Sequence, residues 1–359
     1  MGNCLERSAL NPRERVLAAL RRQVPDRIPY FIRCTPPVVA QLQERTGETD
    51  PAVYFDTDVR DAVIDPPVAE ADYGAYLAGK PAGTQVTEEG IGQVQGTFEH
   101  YTRNVPLLDQ AKTVRDIESF PIPDIGDPNR FATYGSRVAA LQAAGYAVRG
   151  RIGSLFEWAW QVRGFEQLFL DFAQRPELAE RLLDRKTEIL CRAARLQLAA
   201  GIDVLGINDD IAMQTGPMMS PATWRRWFKP RWARVLAAAR DARPDVLVWY
   251  HSDGNATAFV PELIEIGVNI LNPIQPECMD GAAVKRQFGD RLAFWGGLGT
   301  QSVLPFGTPD DVRREVRRLA ATLGENGGLL LEPTHQVQPD VPWENILAYI
   351  DEARQTWYA

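Results

Sequence analysis

The stretch VLVWYHSDGN, residues 246–255, is an apolar run that ends in polar turn residues. A run rich in Val and aromatic side chains that stops at Gly predicts a buried strand followed by a turn. His251 and Asp253 lie at the carboxyl end of this strand. Side chains two residues apart on a strand face the same way, so both can reach a single bound atom.

Working outward from this strand, strand-like segments alternate with amphipathic helical segments. Eight segments read as strands: residues 28–32, 59–64, 146–152, 204–208, 246–251, 268–272, 292–295 and 328–332. Alternating β and α units predict a parallel sheet. Eight of them in 359 residues fit one closed (β/α)8 TIM-type barrel. An open doubly wound sheet is the rival, but no GxGxxG follows an early strand.

Two parts of the chain lie outside this repeat. Asn11 is a favourable N-cap and Pro12 suits the first helical position, which predicts an N-terminal helical extension. Residues 67–103 are polar with glycine turns, and their apolar content is too low for a separate core. We therefore predict one domain over residues 1–359, with residues 67–103 as an insertion after the second strand.

Composition limits the class of partner. The net charge is −8 and no dense Lys/Arg block is present, which disfavours nucleic acid and anionic membranes. The 4 cysteines are far apart without a CxxC pair, and no long apolar run or signal-peptide pattern is visible. We expect a cytoplasmic protein with a small-molecule substrate. The sequence leaves open whether it forms a homodimer.

In a (β/α)8 barrel the catalytic residues gather where the strands end. Polar residues follow several of the predicted strands, namely Arg33, Asp209, Asp210, His251, Asp253, Gln275 and His335. Their convergence on one rim is a stronger signal than any single motif in the chain.

His251, Asp253 and His335 form a candidate metal site. Catalytic zinc commonly takes three protein ligands, and sets of two imidazoles and one carboxylate are known. The alternative is that Asp253 caps the turn at Gly254 while His251 bonds a backbone carbonyl. The sequence does not decide between the two.

The other polar residues also carry two interpretations. Only one of the adjacent carboxylates Asp209 and Asp210 should point into the mouth, as an acid/base or a grip on a cation, or else as a helix cap or salt bridge. Arg33 could hold a substrate carboxylate or form a structural ion pair. Trp160 could wall a pocket that Gln275 also borders, or belong to a core stripe.

Several short segments spread over nearly the whole chain carry a likeness to a known family. They are NPRER (11–15), PDRIP (25–29), GPMMSP (216–221), HSDGN (251–255), GVNILNP (267–273) and FWGG (294–297), and a Gly-Gly pair (327–328) leading to a histidine at 335. In these segments the chain resembles the uroporphyrinogen decarboxylase superfamily, whose fold is a (β/α)8 barrel.

The superfamily has two branches with different chemistry. Likeness to the decarboxylases implies that Arg33 binds substrate carboxylates and Asp58 the pyrrole nitrogens, with Trp160 at a tyrosine position and His335 nearby. Likeness to the methyltransferases, which act with corrinoid proteins, implies zinc bound through His251. In that branch two cysteines complete the site, and Asp253 and His335 stand at their positions here.

We therefore expect a metal-dependent methyl (one-carbon) transferase acting on a small organic substrate, with zinc as the metal and a corrinoid protein as partner. Asp209 or Asp210 would assist as acid or base, and Arg33 and Asp58 would position the substrate. Two alternatives are a metal-free decarboxylase of uroporphyrinogen or a smaller acid, and a barrel that only binds a ligand or a corrinoid protein.

Overall fold

The computed structural model describes residues 9–96 and 101–357. The strands are β1 (Val59–Asp61), β2 (Gln85–Val86), β3 (Gly92–Gln95), β4 (Thr102–Val105), β5 (Ala147–Arg151), β6 (Val204–Asn208), β7 (Ala212–Met213), β8 (Gly216–Pro217), β9 (Leu247–His251), β10 (Ile270–Asn272), β11 (Ala293–Leu298) and β12 (Leu329–Pro333). The first helices are α1 (Pro12–Leu20), α2 (Pro36–Thr46), α3 (Pro51–Tyr54), α4 (Gly74–Leu77), α5 (Val114–Ser119), α6 (Tyr134–Ala143), α7 (Phe156–Arg163) and α8 (Phe165–Gln174). The others are α9 (Pro176–Ala199), α10 (Pro221–Trp227), α11 (Lys229–Ala242), α12 (Val260–Ile266), α13 (Gly281–Phe288), α14 (Val303–Phe306), α15 (Pro309–Thr322) and α16 (Trp343–Gln355), with short 3-10 turns at Pro128–Phe131 and Thr257–Phe259.

The centre of the fold is a parallel sheet of seven strands in the order β1-β5-β6-β9-β10-β11-β12. Residues 28–35 lie between its two edges and complete the circle. On one side the Phe31 amide donates to the Leu331 carbonyl at 2.9 Å, and on the other the Asp58 amide donates to the Tyr30 carbonyl at 3.2 Å. The predicted TIM-type (β/α)8 barrel is confirmed.

The middle of the barrel is filled by aromatic rings around one arginine. Trp249 and Trp295 meet edge to face with centroids 6.0 Å apart, and Phe31 meets Trp295 at 6.1 Å. The Arg149 guanidinium lies 4.6 Å from the Trp249 ring and donates to Asp61 at 2.7 Å. A cation among rings is stabilised by their negative faces, so this layer can hold a buried charge.

The N-terminal helix α1 closes the amino-terminal end of the barrel. Asn11 caps it as predicted, because its side chain accepts from the Glu14 amide at 2.9 Å and the Glu14 carboxylate accepts from the Asn11 amide. Val16 and Leu20 are fully buried and pack with the apolar side chains inside the barrel.

The chain between β1 and α5 forms a small antiparallel sheet in the order β2-β3-β4. Its last strand reaches Val105, two residues past the predicted end of the insertion, and residues 97–100 of that insertion lie outside the described residues. The turn between β2 and β3 rests on α7, since the Trp158 indole donates to the Glu89 carbonyl at 2.9 Å. This turn therefore has a fixed position above the barrel.

Two further features concern the environment of the chain. Within residues 9–96 and 101–357, no helix is both long and apolar enough to cross a bilayer. Cys34, Cys191 and Cys278 carry free thiols, and Cys4 lies outside the described residues.

Asp58 lies at the amino-terminal end of β1, which corrects the expectation that it faces the substrate. Its fully buried carboxylate accepts from Arg15 at 2.7 Å, from Arg27 at 2.8 Å and from the Tyr30 amide at 3.0 Å. Strands of a parallel barrel share one direction, so this end is opposite the end where the strands finish. Asp58 ties the first helix to the barrel.

We predict that Asp58→Asn lowers the free energy of unfolding by about 3 kcal/mol, because removing one partner strands buried charges on the two arginines. Urea unfolding followed by circular dichroism measures the change. The exposed Asp340→Asn serves as control and should change stability by less than about 0.5 kcal/mol. Unchanged stability in Asp58→Asn would contradict the structural role.

Candidate metal centre and substrate cavity

Three ligand atoms converge at the carboxyl ends of β6 and β9. His251 Nε2 lies 3.7 Å from Asp210 Oδ1 and 3.7 Å from Asp253 Oδ1. Ligand atoms of these three residues all lie within 4.8 Å of one another. A tetrahedral ion bound at about 2.1 Å holds its ligand atoms roughly 3.4 Å apart, so the three ligand atoms would draw closer together on binding one.

Asn272 fixes the orientation of the His251 ring. The Asn272 amide nitrogen donates to the Trp295 carbonyl at 2.7 Å, so its oxygen is free to accept from His251 Nδ1 at 2.5 Å. A proton on Nδ1 leaves the lone pair of Nε2 facing two carboxylates. That arrangement is unfavourable unless a cation or a proton lies between them. Metal-binding imidazoles are commonly oriented by such a partner on the other ring nitrogen.

The loops that follow β6 and β9 hold each other in register. The Asp253 amide donates to Asp210 Oδ1 at 2.8 Å, and the Ile211 amide donates to Ser252 Oγ at 3.0 Å. Gly254 has φ +78° and its α-carbon lies against the Met213 carbonyl, where a Cβ would collide with the backbone. Only glycine fits this turn without strain.

His335 and Gln275 lie on the open side of the centre. His335 Nε2 is 4.0 Å from Asp253 Oδ2, and its side chain is 49% exposed. The Gln275 oxygen accepts from the Gly254 amide at 3.1 Å. Both residues line a cavity of about 220 Å³ beside Asp253. The trio therefore includes Asp210 where the sequence suggested His335, and His335 lies next to it.

Of the two adjacent carboxylates, Asp210 is the one that faces the centre. Asp209 turns the other way and is fully buried. It accepts from the Glu157 amide at 2.9 Å and from the Trp232 indole at 2.8 Å, and so caps the first turn of α7. Burial raises the pKa of Asp209 to about 6, although these donors favour its charged form.

Glu157 extends the negative charge of the centre, and the sequence interpretation missed it. Burial, followed by the charges of Asp210 and Asp209, raises the pKa of Glu157 to about 8. Burial also raises the pKa of Asp210, with Asp253 adding to the shift and His251 opposing it. Carboxylates that resist ionisation together favour a bound cation.

Glu157 lines the larger cavity, which has a volume of about 540 Å³. Its walls come from the ends of β1, β5 and β6, from α7 and α9, and from the turn between β2 and β3. No local pattern marks Glu157, because its partners lie about 50 residues further along the chain.

Arg33 and Asp61 belong to a group of charges beside this cavity. Arg33 Nε donates to the buried Glu332 carboxylate at 2.7 Å. Although burial opposes ionisation of Asp61, Arg149 and then Arg151 lower the pKa of its carboxyl to about 2. Arg33 therefore has the structural ion pair that the sequence offered as its alternative role. On strand β1 it is Asp61, at the carboxyl end, and not Asp58 that lies on the side of the mouth.

Trp160 does not line either cavity, which corrects its expected contact with substrate. Its indole meets Phe165 edge to face at 6.0 Å. Helix α7 instead turns Glu157 and Gln161, one turn apart, toward the larger cavity. Of the two interpretations of Trp160, packing against the core is the one that agrees with its contacts.

The residues of the trio fit a divalent metal. Two carboxylates and one imidazole offer oxygen and nitrogen donors that suit zinc and similar ions. His251 is already oriented, and the surrounding acidic groups favour positive charge. His335 or a small molecule can approach from the open side.

We predict that metal-free protein loses stability as the pH rises, partly through Glu157. A carboxyl whose folded pKa is raised to about 8 from 4.5 stabilises the fold at pH values below 4.5. That contribution is lost as the pH rises through about 8. Between pH 5 and pH 9, the thermal unfolding temperature of chelator-treated protein should therefore fall less steeply with rising pH in Glu157→Gln than in wild type. Equal slopes would contradict the raised pKa.

The family model of Uroporphyrinogen decarboxylase (URO-D) matches residues 11–356. Methylcobamide:CoM methyltransferase MtaA of Methanosarcina barkeri is 28% identical over 187 residues, which cover 52% of this chain and 51% of that protein. Uroporphyrinogen decarboxylase of Alkalilimnicola ehrlichii is 25% identical over 261 residues, covering 70% and 69%.

A solved structure, a methyltransferase from Methanosarcina mazei, superposes with a TM-score of 0.66 over 96% of this chain and 99% of its own, at 16% identity. This likeness shows a common fold. The chain spans about half the length of the Methanosarcina barkeri methyltransferase that it matches. Since the family model covers nearly all of the sequence, the chain belongs to the uroporphyrinogen decarboxylase (URO-D) family.

Proposed function

We propose that the protein is a metal-dependent methyl (one-carbon) transferase that acts on a small organic substrate. Asp210, His251 and Asp253 hold the metal, and His335 lies at its open side. The observation that carries this proposal is that His251 Nε2 faces the carboxyl groups of Asp210 and Asp253 at 3.7 Å each. The likeness to the methylcobamide:CoM methyltransferase of Methanosarcina barkeri supports a corrinoid, carried by a partner protein, as methyl donor.

Zinc is the metal that the donor set fits best in this proposal. When bound, it would supply a positive charge that stabilises the anionic form of the methyl acceptor. Oxygen and nitrogen ligands leave the ion more electrophilic than two thiolates do. An acceptor other than a soft thiol is therefore expected.

The residues around the metal site divide the work of binding and proton transfer. Gln275 and His335 line the small cavity beside Asp253 and orient a group bound there. Glu157 lines the larger cavity and, because its pKa is raised to about 8, holds a proton at neutral pH. That proton is available to a substrate in the cavity.

A cofactor-free decarboxylase is the second candidate. It is favoured by the group of arginines near Asp61, since Arg33, Arg149 and Arg151 all act on the charge of that carboxyl. Arg149 is held by Asp61 and Arg33 by Glu332, so Arg151 is the cation of this group that remains for a carboxylated substrate. Release of carbon dioxide from such a substrate, undiminished by chelators, would favour this candidate over methyl transfer.

We predict that wild-type protein dialysed against zinc retains roughly one ion per chain. His251→Ala should retain little, because the substitution removes the only nitrogen donor of the trio. Inductively coupled plasma mass spectrometry measures the content. His335→Ala should retain the ion with weaker affinity. A wild-type protein that binds no divalent ion would remove the proposed mechanism.

We also predict that Asn272→Ala weakens zinc binding by about 10- to 100-fold, because His251 loses the partner that orients it. Competition with a fluorescent chelator measures the affinity. Asn269→Ala is the matched control, since Asn269 bonds the backbone of Val248 and Val246 at the other end of β10. Equal affinities in the two variants would contradict the orienting role.

A further inference from the structure

Lys186 is a buried cation that the proposed metal chemistry does not use. It lies on α9, is 3% exposed and lines the larger cavity. Its ammonium stands 4.7 Å from the centre of the Trp158 ring. Within the described parts of the chain it forms no hydrogen bond or ion pair with a side chain or carbonyl. A buried charge is costly, and the acidic groups that act on it, Glu89 and Asp124, do so through space without a hydrogen bond. A partner bound inside the cavity would therefore stabilise it.

A second cation faces the same space. Arg151, at the end of β5, lines the cavity and reaches Asp61 only at 4.0 Å, with its side chain 43% exposed. The Asp61 carboxylate is already bonded by Arg149 at 2.7 Å. Much of the Arg151 guanidinium is therefore free to bind another anion.

The remaining walls of the cavity are mixed. Glu88, which is paired with Arg130, and Glu89 add acidic groups, whereas other side chains offer an apolar surface. Four isoleucines from separate segments line it, namely Ile64, Ile91, Ile125 and Ile152. A cavity of about 540 Å³ holds a small organic molecule but not a large one. Glu157 lines this space, and the charge of Asp210 acts on its carboxyl group, so the cavity is near the metal-binding trio.

We propose that this cavity binds a small organic acid with an apolar body, and that Lys186 holds its carboxylate with Arg151 as the second cation. The turn between β2 and β3 forms the wall above the ligand. This inference deepens the proposed function by naming the class of substrate. It depends on residues other than the metal ligands, so the carboxylate site and the metal site can each be disproved independently of the other.

Physical chemistry at Lys186 agrees with this assignment. Burial lowers the pKa of its ammonium to about 8. The charged form is therefore only moderately stable in the empty cavity, and a bound carboxylate would stabilise it. The Trp158 ring favours the ammonium from one side and leaves the other side open to a ligand.

The test measures binding of benzoate and hexanoate to chelator-treated protein at neutral pH by isothermal titration calorimetry. Benzamide is the neutral counterpart of benzoate. We expect benzoate to bind at least about tenfold more tightly than benzamide, and Lys186→Met to remove that preference. Lys285→Met is the matched control, because Lys285 also lies over a ring, that of Phe294, but is half-buried and outside this cavity.

The outcomes separate the two proposals. His251→Ala should bind benzoate like wild type, and Lys186→Met should retain zinc. If neither acid binds wild type, if Lys186→Met binds benzoate unchanged, or if binding requires zinc, the carboxylate site is overturned.

A second measurement needs no substitution. Benzoate should protect Lys186 in wild-type protein from trinitrobenzenesulfonate, as followed by mass spectrometry of its peptide. Because burial lowers the pKa of its ammonium to about 8, a large share of this amine is neutral near pH 8, and the neutral amine is the form that reacts. Modification at the same rate with and without benzoate would also overturn the site.

Discussion

The candidate site depends on one chain of hydrogen bonds across three neighbouring strands. Asn272 on β10 donates to the Trp295 carbonyl on β11 and accepts from His251 on β9. Because the amide can donate only through its nitrogen, the histidine proton is placed on Nδ1. The lone pair of Nε2 then faces Asp210 and Asp253. The metal-binding proposal follows from this orientation more than from the number of acidic groups.

Charge is arranged around the mouth in two zones. The acidic zone contains the metal-binding trio and Glu157, whose high pKa reflects burial first and then the charges of its acidic neighbours. The basic zone contains Arg151 and Lys186 around the larger cavity, with Glu89 acting on both. A substrate with a carboxylate at one end would place its other end toward the acidic zone, where a cation would balance the charge. The isoleucines that line the same cavity offer an apolar surface to the body of such a substrate.

The sequence predicted that the site lies at the carboxyl ends of the strands, and it predicted less well which residues form that site. His251, Asp253 and Gln275 were recognised from their position after strands, and the structure brings them together. Asp58 and Trp160 were proposed from likeness to relatives, and they lie elsewhere. Asp58 precedes its strand by one residue, so it belongs to the opposite end of the barrel. Strand boundaries decide such assignments, and they are the least certain feature of a sequence pattern.

The alternation of strands and helices by itself determined a parallel sheet covered by helices, because parallel strands must bury both faces. The number of units in a chain of this length then favoured a closed barrel over an open sheet. Local patterns also determined the capped first helix and the polar insertion that follows the second predicted strand. Tertiary structure alone decided that Asp210, not Asp209, faces the centre, and that Glu157 and Lys186 border the same cavity. These residues are distant in the chain, and neither periodicity nor composition specifies the contacts that bring their charges together.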